Sequence, residues 1–138
     1  MKNENFEMCK RIAEKVEAYT LGKIHRCPEC ESEIQISETA GDKYCCPECR
    51  AVNDLKDWEQ LSLWDYMEDI LDMEWILNGQ REYKACRILV AFGGPNIYLD
   101  TMTGNVELYW WGDRASYRMT SEAVDAIDEW AEEYWGCI

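Results

Sequence analysis

Between Phe6 and Tyr19 apolar residues recur every three or four positions, at Phe6, Cys9, Ile12, Val16 and Tyr19, with charged residues between them. This spacing predicts a helix over residues 5–21, capped by Asn3 or Asn5 and closed by Gly22. A second helix is expected from Ser62 to Asn78 and Gly79, with a start near Asp54 also compatible. On its wheel Leu63, Trp64, Tyr66, Met67, Ile70, Leu71, Met73, Trp75 and Leu77 cover more than half the circumference, and Asp65, Glu68, Asp69 and Asp72 share the opposite arc. From Glu82 the period shortens to two: EYKACRILVAF, NIYLDT, VELYWW and ASYRM read as strands, with turns at MTGN and GDR. A last helix, residues 121–135, starts after Thr120 or Ser121 and ends at Gly136. Ala123, Val124, Ile127, Trp130, Ala131, Tyr134 and Trp135 form one side of it; Glu122, Asp125, Asp128, Glu129, Glu132 and Glu133 fill the other.

The expected class is α+β: an antiparallel meander of three or four strands packed with helices, with a cysteine hairpin inserted between the first two helices. At 138 residues the chain supports one core. Residues 1–53 form the N-terminal helix and hairpin, and residues 54–138 the body, together one compact unit.

That hairpin holds the strongest motif, CPEC at residues 27–30 and again at 46–49, a C-x2-C-x15-C-x2-C spacing. Two tight knuckles of this kind bring four sulfurs to the corners of a tetrahedron. Cys27, Cys30, Cys46 and Cys49 are the expected ligands of one structural zinc ion. Cys45 is an alternative to Cys46, and His25 to Cys27. Residues 34–36 and 43–45 are expected to pair as the two strands of a zinc ribbon. Iron is less favoured, because its knuckles usually carry Gly after the second Cys, where Glu31 and Arg50 stand here. Disulfide cycling is disfavoured by the acidic neighbours Glu29, Glu31 and Glu48, which oppose a lowered thiol pKa. With four protein ligands no position is left for a catalytic water.

Charge changes the picture next. The chain carries 28 acidic and 14 basic residues, a formal net charge of −14. Residues 54–77 hold eight acids and one base, and residues 120–138 six acids and no base, so two segments carry nearly all of it. Surface helices usually mix signs, because like charges one turn apart repel. If both segments are helical, each stripe carries about one charge per 3.3 to 3.5 Å of axis, close to the ~3.4 Å spacing along a DNA strand. Such a surface repels nucleic acid and suits a basic nucleic-acid-binding protein. A plain solvated face is the bland alternative. The zinc hairpin is a poor nucleic-acid reader for the same reason: six acids outnumber three bases in residues 25–53.

Other features point away from catalysis. The chain has one His, no nucleophile elbow and no phosphate-loop motif around FGGPNIY, which reads as a bend or bulge between strands. An exposed stripe of Asp65, Glu68, Asp69 and Asp72 is a poor Mg²⁺ cage. Glu74, within the apolar arc, is expected to pair with Arg81, Arg87 or Arg114. Adjacent Trp110 and Trp111 are expected to face opposite sides of a strand, leaving one as a covered side chain or an exposed anchor. The N-terminus lacks an apolar run and no stretch approaches the ~20 apolar residues of a membrane span, so a soluble cytoplasmic chain is expected.

The CPEC pair followed by GGPNIYLDT, VELYWWGD and an acidic terminal helix resembles small proteins of bacterial phages and mobile elements, among them zinc-bearing anti-CRISPR proteins of the type II-A class. The resemblance covers most of the chain in general character, and residues 93–113 carry its specific part; the CPEC pairs are shared with many zinc ribbons. It implies a non-enzymatic inhibitor that binds Cas9 in the bacterial host cell and blocks target-DNA loading or cleavage. Members differ in where they bind, so no contact residue carries over. Charge suggests Asp65, Glu68, Asp69, Asp72 and the six acids of the last helix as the partner-binding residues, since Cas9 holds its heteroduplex in a basic channel. A zinc-ribbon adaptor with another cytoplasmic protein partner is the alternative.

Overall fold

A computed structural model describes residues 2–36 and 41–138. The chain begins with α1, Lys2–Thr20, whose buried face is Cys9, Ala13 and Val16, with Ile12 partly buried beside it. It ends in two nested backbone bonds, Lys23 N–H to Ala18 C=O at 2.9 Å and Gly22 N–H to Tyr19 C=O at 3.2 Å, with Gly22 at φ 70°. This is the glycine-closed helix end in which an L side chain is strained. A Cβ on Gly22 would also stand 2.5 Å from the Gln60 amide nitrogen, which donates to the Gly22 carbonyl. Gly22→Ala is therefore expected to lower stability by about 1–2 kcal/mol, read as a drop in the thermal midpoint; an unchanged midpoint would show that Gln60 moves freely aside.

After α1 come the short strands β1 (Ile24–Arg26), β2 (Glu33–Gln35), β3 (Lys43–Cys45) and β4 (Val52–Asp54), one 3-10 turn at Leu55–Asp57, and β5 (Glu59–Gln60). β2, β1 and β5 form a three-stranded sheet in that order, and among the described residues β3 pairs only with β4. The expected ribbon is thus replaced: residues 34–36 do not pair with 43–45. Each CPEC knuckle closes its own hairpin, β1–β2 or β3–β4, because the knuckle is itself a tight reversal. The connection at residues 37–40 lies outside the described residues. β4 runs across residues 53–54, and Trp58 packs with Cys27, Ile36 and Cys46.

The body differs from expectation in one element. The second helix is only Leu63–Met67, α2; residues Asp72–Leu77 are a strand, β6. It is followed by β7 (Tyr83–Ala91), β8 (Asn96–Asp100), β9 (Asn105–Trp110) and β10 (Asp113–Arg118). These five form an antiparallel meander in the order β10-β9-β8-β7-β6. The apolar arc of the wheel was too wide for one helix because two periods were superposed. Leu63 and Met67 follow the helical spacing, whereas from Asp72 exposed Asp72 and Glu74 alternate with half-buried Met73 and Trp75. Pairing with β7 over the whole of β6 decides the outcome. Glu74 is consequently exposed, opposite Arg87 in register. Arg87 turns instead to Asp100 and Glu107, each at 3.7 Å, and lies over the Tyr98 ring at 3.6 Å. Phe92–Pro95 is the β7–β8 turn, preceded by a register shift between Leu89 and Ala91, as a bend there requires.

The last helix, α3, spans Ser121–Gly136, with the Thr120 hydroxyl accepting from Ala123 N–H at 3.2 Å. α1 and α3 cover one face of the meander. Ile88, Ile97, Leu99, Val106 and Leu108 of the sheet meet Cys9 and Val16 of α1 and Ala123, Ile127 and Ala131 of α3. Each large aliphatic side chain buried in this way contributes about 1.5–3 kcal/mol. Trp75 ties the edge strand to α3 through its indole N–H, which donates to the Ala131 carbonyl at 3.1 Å. No helix among the described residues is long and apolar enough to cross a membrane.

Candidate metal centre and acidic surface

The thiol sulfurs of Cys27, Cys30, Cys46 and Cys49 all lie within 4.8 Å of one another. Cys27 and Cys49 approach to 3.7 Å, as do Cys30 and Cys46. A tetrahedron of thiolates around a metal at ~2.3 Å has an edge of about 3.8 Å, so the spacing fits a four-coordinate metal held by sulfur alone.

The two knuckles are built alike. Cys27 N–H donates to Ser32 C=O and Cys46 N–H to Ala51 C=O, both at 2.9 Å. Glu31 N–H returns to Cys27 C=O at 3.0 Å and Arg50 N–H to Cys46 C=O at 2.9 Å. Closing so tight a loop puts Glu31 at φ 65° and Arg50 at φ 66°. These residues occupy left-handed positions where glycine is at ease and an L residue carries strain. Glu31→Gly and Arg50→Gly are each expected to raise the stability of the folded, metal-loaded chain by about 0.5–1 kcal/mol, visible in chemical denaturation; a loss of stability would mean that those side chains make compensating contacts.

The amides and hydroxyl behind the knuckles act on the sulfurs. The Ser32 side chain and N–H bond to Cys30 and bring its pKa down to about 6. The Ala51 amide acts in the same direction on Cys49. There, desolvation and the sulfurs of Cys27, Cys30 and Cys46 outweigh it and push the pKa up to about 12. Sulfurs packed so closely do not all ionise on their own account; a bound divalent cation would supply the missing counter-charge and displace the protons.

Strand alternation separates the true candidates from the alternatives. On β3 the exposed Cys45 points away from the buried Cys46, and its sulfur lies 3.5 Å from the Arg50 carbonyl. His25 sits on β1 outside the sulfur group, its Nδ1 buried without a hydrogen-bond partner. Ser32 and Ala51 were not singled out from sequence. Their signal is positional: each lies two residues beyond the second Cys of its knuckle.

No family model, curated protein or solved structure matches this chain.

The acidic residues divide into two groups. Glu122, Asp125, Glu129, Glu132 and Glu133 are exposed on α3, which has no basic residue. Asp128 of the same helix is half-buried, and its Oδ1 accepts the Tyr83 hydroxyl at 2.6 Å. Desolvation together with this carboxylate pushes the Tyr83 phenol well above its ordinary range. Asp128 therefore serves the helix–sheet contact. The other expected stripe is not a stripe. Asp65 caps α2 by accepting Ser62 N–H at 2.7 Å, Glu68 is the C-cap, Asp69 follows in the turn, and Asp72 opens β6. With no continuous helix beneath them, these four carboxylates do not keep the expected regular spacing.

Proposed function

We propose that this chain is a non-catalytic inhibitor of the anti-CRISPR kind, which binds a basic nucleic-acid-binding protein, Cas9 foremost, and blocks target-DNA loading or cleavage. The observation that carries this is the exposed face of α3, five carboxylates with no cation in the helix, on a helix whose other face is packed into the core. It supports a partner whose own surface is basic, and it opposes direct binding to a phosphate backbone. One zinc ion held by Cys27, Cys30, Cys46 and Cys49 is the metal of this account. Zinc is favoured over iron because Glu31 and Arg50 stand where iron knuckles carry glycine. When bound, it supplies cohesion and no reactive position, since four sulfurs complete its coordination.

The test is a binding titration of the metal-loaded protein against guide-loaded type II-A Cas9 orthologues at increasing salt. Binding that weakens steeply with salt is expected. Binding that ignores salt yet disappears on chelation would favour a zinc-stabilised adaptor instead, and binding to no orthologue would remove Cas9 as the partner.

A further inference from the structure

One end of the meander gathers three connections: Glu68–Leu71 entering β6, Phe92–Pro95 between β7 and β8, and Trp111–Gly112 between β9 and β10. Its most exposed large apolar side chains are aromatic. Trp111 is 92% exposed and Phe92 71%, with Tyr109 and Trp110 exposed beside them. Phe92, Pro95, Tyr109, Trp110 and Trp111 line an open cup of about 400 Å³.

Trp111 is a costly residue at its position. Trp110 and Asp113 pair across a two-residue turn in which Trp111 has φ 51° and Gly112 φ 80°. A turn with both central residues left-handed prefers Asn-Gly. A bulky side chain there is strained by about 1–2 kcal/mol. The fold recovers nothing for this, because the indole stands almost wholly in solvent, and strain of this kind is a pointer to a role outside the fold.

Charge selects the occupant. Exposed Glu68, Asp69 and Asp72 enter the same end of the sheet and Asp113 follows the turn, with Arg114, opposite Tyr109, and Lys15, which lines a pocket with Asp69, as neighbouring cations. The whole molecule carries −14. A second copy would bring a further net charge of −14 and a nucleic acid more of the same sign, whereas a guanidinium is attracted both by carboxylates and by aromatic faces. We propose that this aromatic cup is a docking site for an arginine-bearing segment of a protein partner, which rests on the partner being basic as proposed above.

The test uses the full metal-loaded chain and two peptides of equal charge, alternating Gly-Arg and alternating Gly-Lys, at physiological salt. Indole N–H signals and titration calorimetry report binding. Trp111→Asn suits the turn, so the variant is expected to be more heat-stable than the parent and to bind the arginine peptide about three- to tenfold more weakly. The Trp111 indole signal is expected to move on titration, and more with arginine than with lysine. If Trp111→Asn binds as the parent does while neutralising the α3 carboxylates abolishes binding, the cup is not the site and the acidic surface alone stands. If neither peptide binds the parent, the arginine-docking proposal falls, while the inhibitor reading still stands or falls on the Cas9 titration. A dimer that dissociates on Trp111→Asn would make a second copy the occupant and overturn the arginine assignment.

Discussion

Cys46→Ser is expected to abolish stoichiometric zinc binding and to unfold the segment from Ile24 to Gln60. The reason is how little else holds that segment together. Its buried cluster is Cys27, Ile36, Cys46 and Trp58, so two of its four members are themselves candidate ligands, and β3–β4 is a two-stranded sheet with no third strand among the described residues. An isolated hairpin is marginal in water, whereas a structural zinc site contributes on the order of 10 kcal/mol in apparent terms. The matched control is Cys45→Ser, one residue away, with its sulfur outside the group. It is expected to keep one zinc per chain and to shift stability by no more than about 0.5 kcal/mol. Metal analysis with denaturation of both variants checks this. Full zinc in Cys46→Ser, or none in Cys45→Ser, would show that the ligand set is misassigned. Loss of the segment should also loosen the end of α1, since the Tyr19 hydroxyl bonds the Glu33 carboxylate of β2 and Leu61 packs with Ala18 and Ile24.

Neutralising α3 by the combined changes Asp125→Asn, Glu129→Gln, Glu132→Gln and Glu133→Gln is expected to slow association with the basic partner by about ten- to a thousandfold at low salt, the range of electrostatic steering. It should flatten the salt dependence at the same time. The same variant is expected to be slightly more stable than the parent. Residues 125 and 129, and 129 and 133, are like charges one turn apart, each repulsion worth a few tenths of a kcal/mol. The acids near the helix C-terminus also oppose its dipole. Glu122 is left in place because it favours the N-terminal turn, and Asp128 because it accepts the Tyr83 hydroxyl. Stopped-flow association with thermal unfolding separates the two effects. An unchanged rate would return α3 to the status of a solvated face. Reversal of Asp65 would be a poor substitute, since it breaks the cap of α2 and so perturbs the fold along with the charge.

The elements most legible in the sequence were those governed by one local rule. α1 and α3 have apolar stripes of ordinary width and a clear glycine or Thr120 signal at an end, and the strands β7 to β10 alternate between recognisable turns. The four-sulfur group was legible because two CxxC knuckles admit few other arrangements. Residues 72–77 were not, since Met73, Trp75, Ile76 and Leu77 suit a helix wheel as well as a strand, and only the nine-residue β7 alongside decides between them. The pairing within the cysteine module was hidden for a related reason. A knuckle that turns the chain on itself pairs its own flanks, so β1 meets β2 and β3 meets β4, and neither pairing sets how the two hairpins face each other. Adjacent Trp110 and Trp111 do not face opposite sides of one strand as expected: Trp111 belongs to a turn, which alternation alone does not reveal.

The most direct measurement is target-DNA binding by a guide-loaded type II-A Cas9 with and without a several-fold excess of the zinc-loaded protein. DNA binding or subsequent cleavage is expected to be lost with the parent and recovered with the α3-neutralised variant. Unchanged DNA binding and cleavage across several Cas9 orthologues would contradict it.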